Sequence, residues 1–160
     1  MMERKWWLLV AFLAIIVIPI VWYLISPAFI VVEMNETSPL GALNGSVTSA
    51  NVTLIERPAV ILQGEFKPSA HDVSGKAKII EVEGKRILRF EDFETINGPD
   101  LFIYLSKDLS NKDFVDLGEI KATKGNVNYN LNSSVDISKY KNVLVWCRAF
   151  RVLFSYAELK

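Results

Sequence analysis

From Trp6 to Val32 the chain carries no charged residue, and this run of Leu, Val, Ile, Ala, Phe and Trp restricts the possible architectures more than anything else in it. At 1.5 Å per residue the part up to Ile25 alone reaches about 30 Å, the thickness of a bilayer's hydrocarbon core. A membrane-spanning helix is expected. Pro19 within it removes one backbone donor and bends it modestly, which membrane helices tolerate. A cleaved signal peptide is the rival reading, but its apolar core usually runs about 7–15 residues, and the proline in Ser26-Pro27-Ala28 suits a cleavage site poorly. Arg4 and Lys5 precede the run and the first charge after it is Glu33, so the positive-inside bias puts residues 1–5 in the cytoplasm. The expectation is a single-pass cell-membrane protein, with a signal anchor at 6–32 as its contact with the lipid bilayer and its C-terminal part outside.

Setting that segment aside leaves roughly 125 residues, room for one ordinary domain. The chain has 18 basic and 18 acidic residues, and without Arg4, Lys5 and Glu3 the balance is 16 to 17. With no basic stripe to neutralise phosphates, nucleic acid is not expected as a partner. Cys147 is the one cysteine, so no internal disulfide forms, and no closely spaced pair of metal-binding cysteines exists. Residues 33–58 are rich in Asn, Ser, Thr and Gly without apolar periodicity, and read as a polar extracytoplasmic spacer. Asn35-Glu36-Thr37, Asn44-Gly45-Ser46 and Asn51-Val52-Thr53 fall within it and Asn132-Ser133-Ser134 beyond it, making Asn35, Asn44, Asn51 and Asn132 candidate glycosylation sites.

From residue 59 to 160 the pattern becomes short apolar runs broken by turn residues every eight to twelve positions, the mark of a sandwich or barrel. The runs are 59–66, 74–82, 85–93, 101–105, 114–121, 127–131, 143–149 and 151–154. Glu83-Gly84 between two of them predicts a tight hairpin, because Gly supplies the positive φ such a turn needs. The fold class is all-β, a small β-sandwich or barrel-like domain preceded by one N-terminal transmembrane helix.

Several pieces in order along this domain carry a resemblance. They are Gly64-Glu65-Phe66, His71 and Gly75, Leu88-Arg89-Phe90-Glu91-Asp92-Phe93, and Gly98-Pro99-Asp100-Leu101-Phe102-Ile103-Tyr104-Leu105-Ser106. Val115-Asp116-Leu117-Gly118, Lys121, Gly125-Asn126-Val127-Asn128-Tyr129, Tyr140, Val145-Trp146-Cys147 and Val152-Leu153-Phe154 continue the series. Together they resemble the DM13 domain, an extracytoplasmic module found alone on membrane anchors and beside DOMON-type redox domains. The resemblance implies an electron-transfer role for the cysteine, as a bare thiol or by helping to hold a prosthetic group such as haem. It carries onto Cys147, and a membrane redox or surface protein would be its partner.

The residues themselves leave alternatives open. Cys147 lies in Val143-Leu144-Val145-Trp146-Cys147, apolar on both alternating faces, which fits a buried central strand where a free Cys acts as a small hydrophobe. A redox thiol needs an activating cation, and Arg148 next door points to the opposite face in a strand. His71, the single histidine, is the possible second ligand for haem or a metal, although a lone His in a polar turn is ordinarily a solvated residue. Tyr104, Tyr129 and Trp146 are aromatic candidates for a pocket or an electron path, and equally for plain packing. Asp92, Glu94, Asp100 and Asp116 offer hard oxygen donors, but without the ligand rhythm of a calcium loop. Gly98-Pro99-Asp100 reads as turn chemistry opening a strand. No catalytic constellation is visible, and an enzyme is not expected. The non-redox alternative is a protein- or ligand-binding β module in which Cys147 is structural.

Overall fold

The computed structural model describes residues 2–26, 30–41 and 58–160. An apolar helix, α1 (Met2–Ile25), comes first, and its segment Trp6–Ile25 is long and apolar enough to cross a membrane, as an anchor or a signal sequence. Among the described residues nine strands follow: β1 (Glu33–Asn35), β2 (Ala59–Pro68), β3 (Val73–Val82), β4 (Lys85–Thr95), β5 (Leu101–Ser106), β6 (Phe114–Glu119), β7 (Lys124–Leu131), β8 (Asn142–Cys147) and β9 (Val152–Glu158). They form one sheet in the order β1-β7-β4-β3-β2-β9-β8-β5-β6, curled into a half-barrel around a single main core. Between sandwich and barrel, the chain takes the barrel-like form.

Each of the eight apolar runs became a strand, because alternation gives each one an inward face. Val143, Val145 and Cys147 of β8 point into the core, while Leu144 and Trp146 point out. At the centre of the core, Phe66 packs on Phe90 and Phe93 with ring centroids 4.9 and 4.8 Å away, and Tyr129 closes on Phe90 at 5.2 Å. A bulge in β4 between Phe90 and Phe93 lets both rings turn inward. The β3–β4 hairpin closes as expected: Val82 pairs with Lys85, and Glu83 and Gly84 both have positive φ, the pattern of a two-residue primed turn.

Two boundaries differ from the sequence reading. The apolar helix stops at Ile25 rather than continuing to Val32, and Ile30–Val32 are not helical. Proline at 27 has no amide proton to carry the helical ladder on. Val32 instead donates its amide to Thr123 Oγ1 at 3.0 Å, and its carbonyl accepts from the amides of Thr123 and Lys124 at 2.8 and 3.1 Å. Nor does the spacer begin at Glu33, because Glu33–Asn35 pair in parallel with Lys124–Asn126 as β1. Past that strand, the Arg89 guanidinium donates to the carbonyls of Glu36 and Thr37, and the Glu36 carboxylate accepts from the amide of Asn128. Backbone bonds and a buried arginine hold this segment, so apolar periodicity could not reveal it.

The register gives the half-barrel two ends. At the tether end lie Val32, the turn at 69–72, the loop at 96–100, the connection at 120–123 and the turn at 148–151. The opposite, far end carries the Glu83-Gly84 turn and the loops at 107–113 and 132–141.

Candidate functional site

Cys147 ends β8 at the tether end, with Leu101 of β5 and Val152 of β9 as its register partners. Its free thiol is 0% exposed, enclosed by the main core. Arg148, the next residue, turns to the outer face. Its guanidinium lies 3.3 Å from the centroid of the Phe102 ring, its Nε donates to Tyr104 Oη at 2.6 Å, and it pairs with the Asp116 carboxylate. Arg151 sits exposed in the turn after the strand has ended, with φ of 54°. Arg148 thus turns away from the core that holds the thiol, and Arg151 lies beyond the end of β8.

His71 occupies the turn between β2 and β3. Its amide donates to the Phe154 carbonyl at 3.1 Å, and its ring packs on the Phe154 ring with centroids 4.0 Å apart. Ile96, Asn97, Gly98, Pro99, Phe150 and Val152 join His71 and Phe154, with Leu24 of α1 as a further wall, around an open groove of about 330 Å³. Gly98 belongs there for a steric reason: a Cβ would stand 3.0 Å from Phe154 and 3.1 Å from Leu101. Val152 is common to both surroundings, opposite Cys147 in register and on the wall of the groove. Cys147 does not line that groove. The fold thus brings both residues to one end, the thiol inside the core and the imidazole on the wall of the groove.

A family model described as "Electron transfer DM13" matches residues 65–159. The chain belongs to the DM13 family. No curated protein and no solved structure was found to match it. The DM13 match runs from the middle of β2 through the end of β9, leaving α1 and β1 outside it. Many positions that carry the likeness, including Phe66, Leu88, Phe90, Phe93, Leu101, Ile103, Tyr129 and Val145, are buried. These buried positions all belong to the inward face of the half-barrel, and Cys147 is part of that face.

A haem or metal held by this DM13 domain would need an open coordination position beside its donors. The Cys147 thiol is closed in among hydrocarbon side chains, and the His71 ring is laid against Phe154. Among the described residues, no group of three or more His, Cys, Asp or Glu side chains converges on one point. Glu94 is paired with Lys124 at 3.2 Å and Asp116 with Arg148, so these carboxylates have partners of their own. The residues present do not fit a haem joined to Cys147 and His71.

The aromatic candidates separate. Tyr129 is in the main core, where its Oη accepts from the Lys121 amide at 3.0 Å and burial pushes its pKa up to about 12. Tyr104 and Trp146 belong to a cluster on the outer face with Phe102, Phe114 and Tyr156, and Tyr104 stacks on Phe114 at 4.1 Å. Of the sequons, Asn35 and Asn132 are exposed, Asn35 in β1 and Asn132 in a side-chain-capped turn with Ser134, whereas Asn44 and Asn51 lie outside the described residues. The sequence reading missed Ser155. Its Oγ is buried without a hydrogen-bond partner, on the same inward face as Cys147 and opposite Val145. A register shift beside it turns Phe154 and Ser155 both inward, and no alternation pattern signals that.

Proposed function

We propose that this chain is a membrane-anchored DM13 domain, displayed outside the cytoplasm by α1, that serves electron transfer with Cys147 as its thiol centre. The family match across the strands enclosing Cys147 carries the proposal. The role is that of a carrier or relay working with a membrane redox or surface protein, not of an enzyme that turns over a substrate. Because the thiol is shut inside the core, exchange with soluble disulfides would require local opening of β8 and β9. Haem forms no part of this reading, since the donors do not present a position for it.

A second reading has an observation of its own. Complete burial between Leu101 and Val152 suits a purely structural Cys147, in a module that binds a protein or ligand without redox chemistry. The full chain, purified in detergent from its native membrane, separates the two when its consumption of a one-electron oxidant is compared with that of Cys147→Ala. Loss of oxidant consumption at unchanged unfolding midpoint supports the redox role. Equal consumption by both proteins overturns it in favour of the structural one. The absorption spectrum of the same preparation is expected to lack a Soret band, and a Soret band lost in Cys147→Ala would reinstate haem.

A further inference from the structure

We infer that the tether end of the half-barrel rests on the lipid surface, with Ile96 and Phe150 entering the interface. This rests on α1 being a membrane anchor. The twenty-residue segment Trp6–Ile25 fills a hydrocarbon core of about 30 Å, which puts Ile25 at its boundary. From Ile25 to Val32 the chain has seven residues, a reach of at most about 25 Å. Val32 is then fixed to the domain through Thr123 and Lys124, and β1 continues the attachment along β7. Gly125 permits this close approach, because a Cβ there would overlap the Met34 carbonyl oxygen.

The tether therefore limits which surface can face the bilayer. The eleven residues of β4 measure about 35 Å, so the far end lies beyond the tether's reach if the domain is to turn over. At the tether end, Ile96 is 43% and Phe150 54% exposed, on separate loops brought together by the fold. Ile96 stands between two open grooves, the one shared with His71 and Phe150 and another of about 380 Å³ whose walls include Ile30, Val31 and Val73. Ile30 and Val31 are exposed too, so apolar side chains extend from the tether to Ile96, although the wall of the wider groove also carries Asp72 and Glu94. The far end also exposes Val60, Ile61 and Leu109, so apolarity by itself does not choose a face; the short attachment does. Exposed Arg151 beside Phe150 is placed to meet headgroup phosphates as the ring enters the interface.

The test uses the full chain in phosphatidylcholine vesicles, with a nitroxide label on Ile96→Cys, Phe150→Cys or Leu109→Cys, one at a time. The wholly buried Cys147 stays in place, and a Cys147→Ala background repeats the set. Label collisions with oxygen, which concentrates in hydrocarbon, are compared with collisions with a water-soluble nickel chelate. A severalfold higher oxygen-to-chelate ratio at 96 and 150 than at 109 supports the inference. Equal ratios at the three positions, in a chain that floats with the vesicles, overturn it and leave the anchor intact. A chain that fails to float overturns the anchor, and this inference falls with it.

Discussion

The two faces of β8 carry very different chemistry. Inward, Val143, Val145 and Cys147 meet a closed hydrocarbon core; outward, Leu144 and Trp146 meet an aromatic layer bounded by Arg148, Asp116 and water. One residue of register separates them. The contrast teaches that the one thiol of this chain sits where stability is made, while its aromatic and charged neighbours Trp146 and Arg148 sit on the other side of the sheet. If so, perturbing the inner face should alter folding first, and outer-face changes should do so only where a charge is itself buried.

The largest effect is expected from Phe90→Ala, which empties the centre of the inner aromatic cluster and should cost about 4 kcal/mol. Urea unfolding of the detergent-solubilised chain, followed by strand circular dichroism, would measure it. A loss below 1 kcal/mol would mean that the core is not organised around this ring. Arg89→Ala comes next, at about 3 kcal/mol, because this outward arginine is only 5% exposed. It would strip Glu91 and Asn128 of a partner and release the carbonyls of Glu36 and Thr37, loosening β1 as well. Amide exchange at Glu36 and Asn128 should accelerate with it.

An alkaline titration sharpens the contrast further. With Tyr129 raised to about 12 in the fold and ordinary at about 10 when unfolded, its stabilisation is complete below pH 10 and lost as the pH rises through 12. The loss amounts to about 2 to 3 kcal/mol, and Tyr129→Phe should remove that pH dependence. The acid side is different. Burial pushes the Glu91 carboxyl up, but hydrogen bonds and charge from Lys78 and Arg89 hold it below the usual range, so this contribution stands above about pH 4.5 and fades on acidification through the lowered value. Glu91→Gln should flatten the acid limb. The smallest effect belongs to Ser155→Ala, which deletes an unpartnered buried hydroxyl and should be neutral or stabilising by less than about 1 kcal/mol. A clear destabilisation would reveal a partner for that hydroxyl.

Strands were legible from the sequence because each is a local event, an apolar run ended by turn residues such as Glu83-Gly84 or Asn97-Gly98-Pro99. Their order was not. The pairings of β7 with β4 and β2 with β9 join residues far apart in the chain, and nothing in either partner names the other. β1 escaped for a related reason, since three residues held by backbone bonds and by Arg89 leave no apolar rhythm to read. Cys147 was legible as a buried-strand residue from the apolar run around it. The groove beside it was not, because His71, Ile96, Phe150 and Val152 come from different parts of the chain and meet only when the sheet curls.

The reactivity of the native thiol tests the division between the two faces of β8 most directly. Alkylation of Cys147 by a small maleimide, in the full chain without denaturant, should proceed only through opening of the sheet and slow in proportion to measured stability. Phe90→Ala should then accelerate it strongly. Labelling of the unmodified chain at the rate of an unfolded control, insensitive to Phe90→Ala, would contradict a Cys147 enclosed by the inner core.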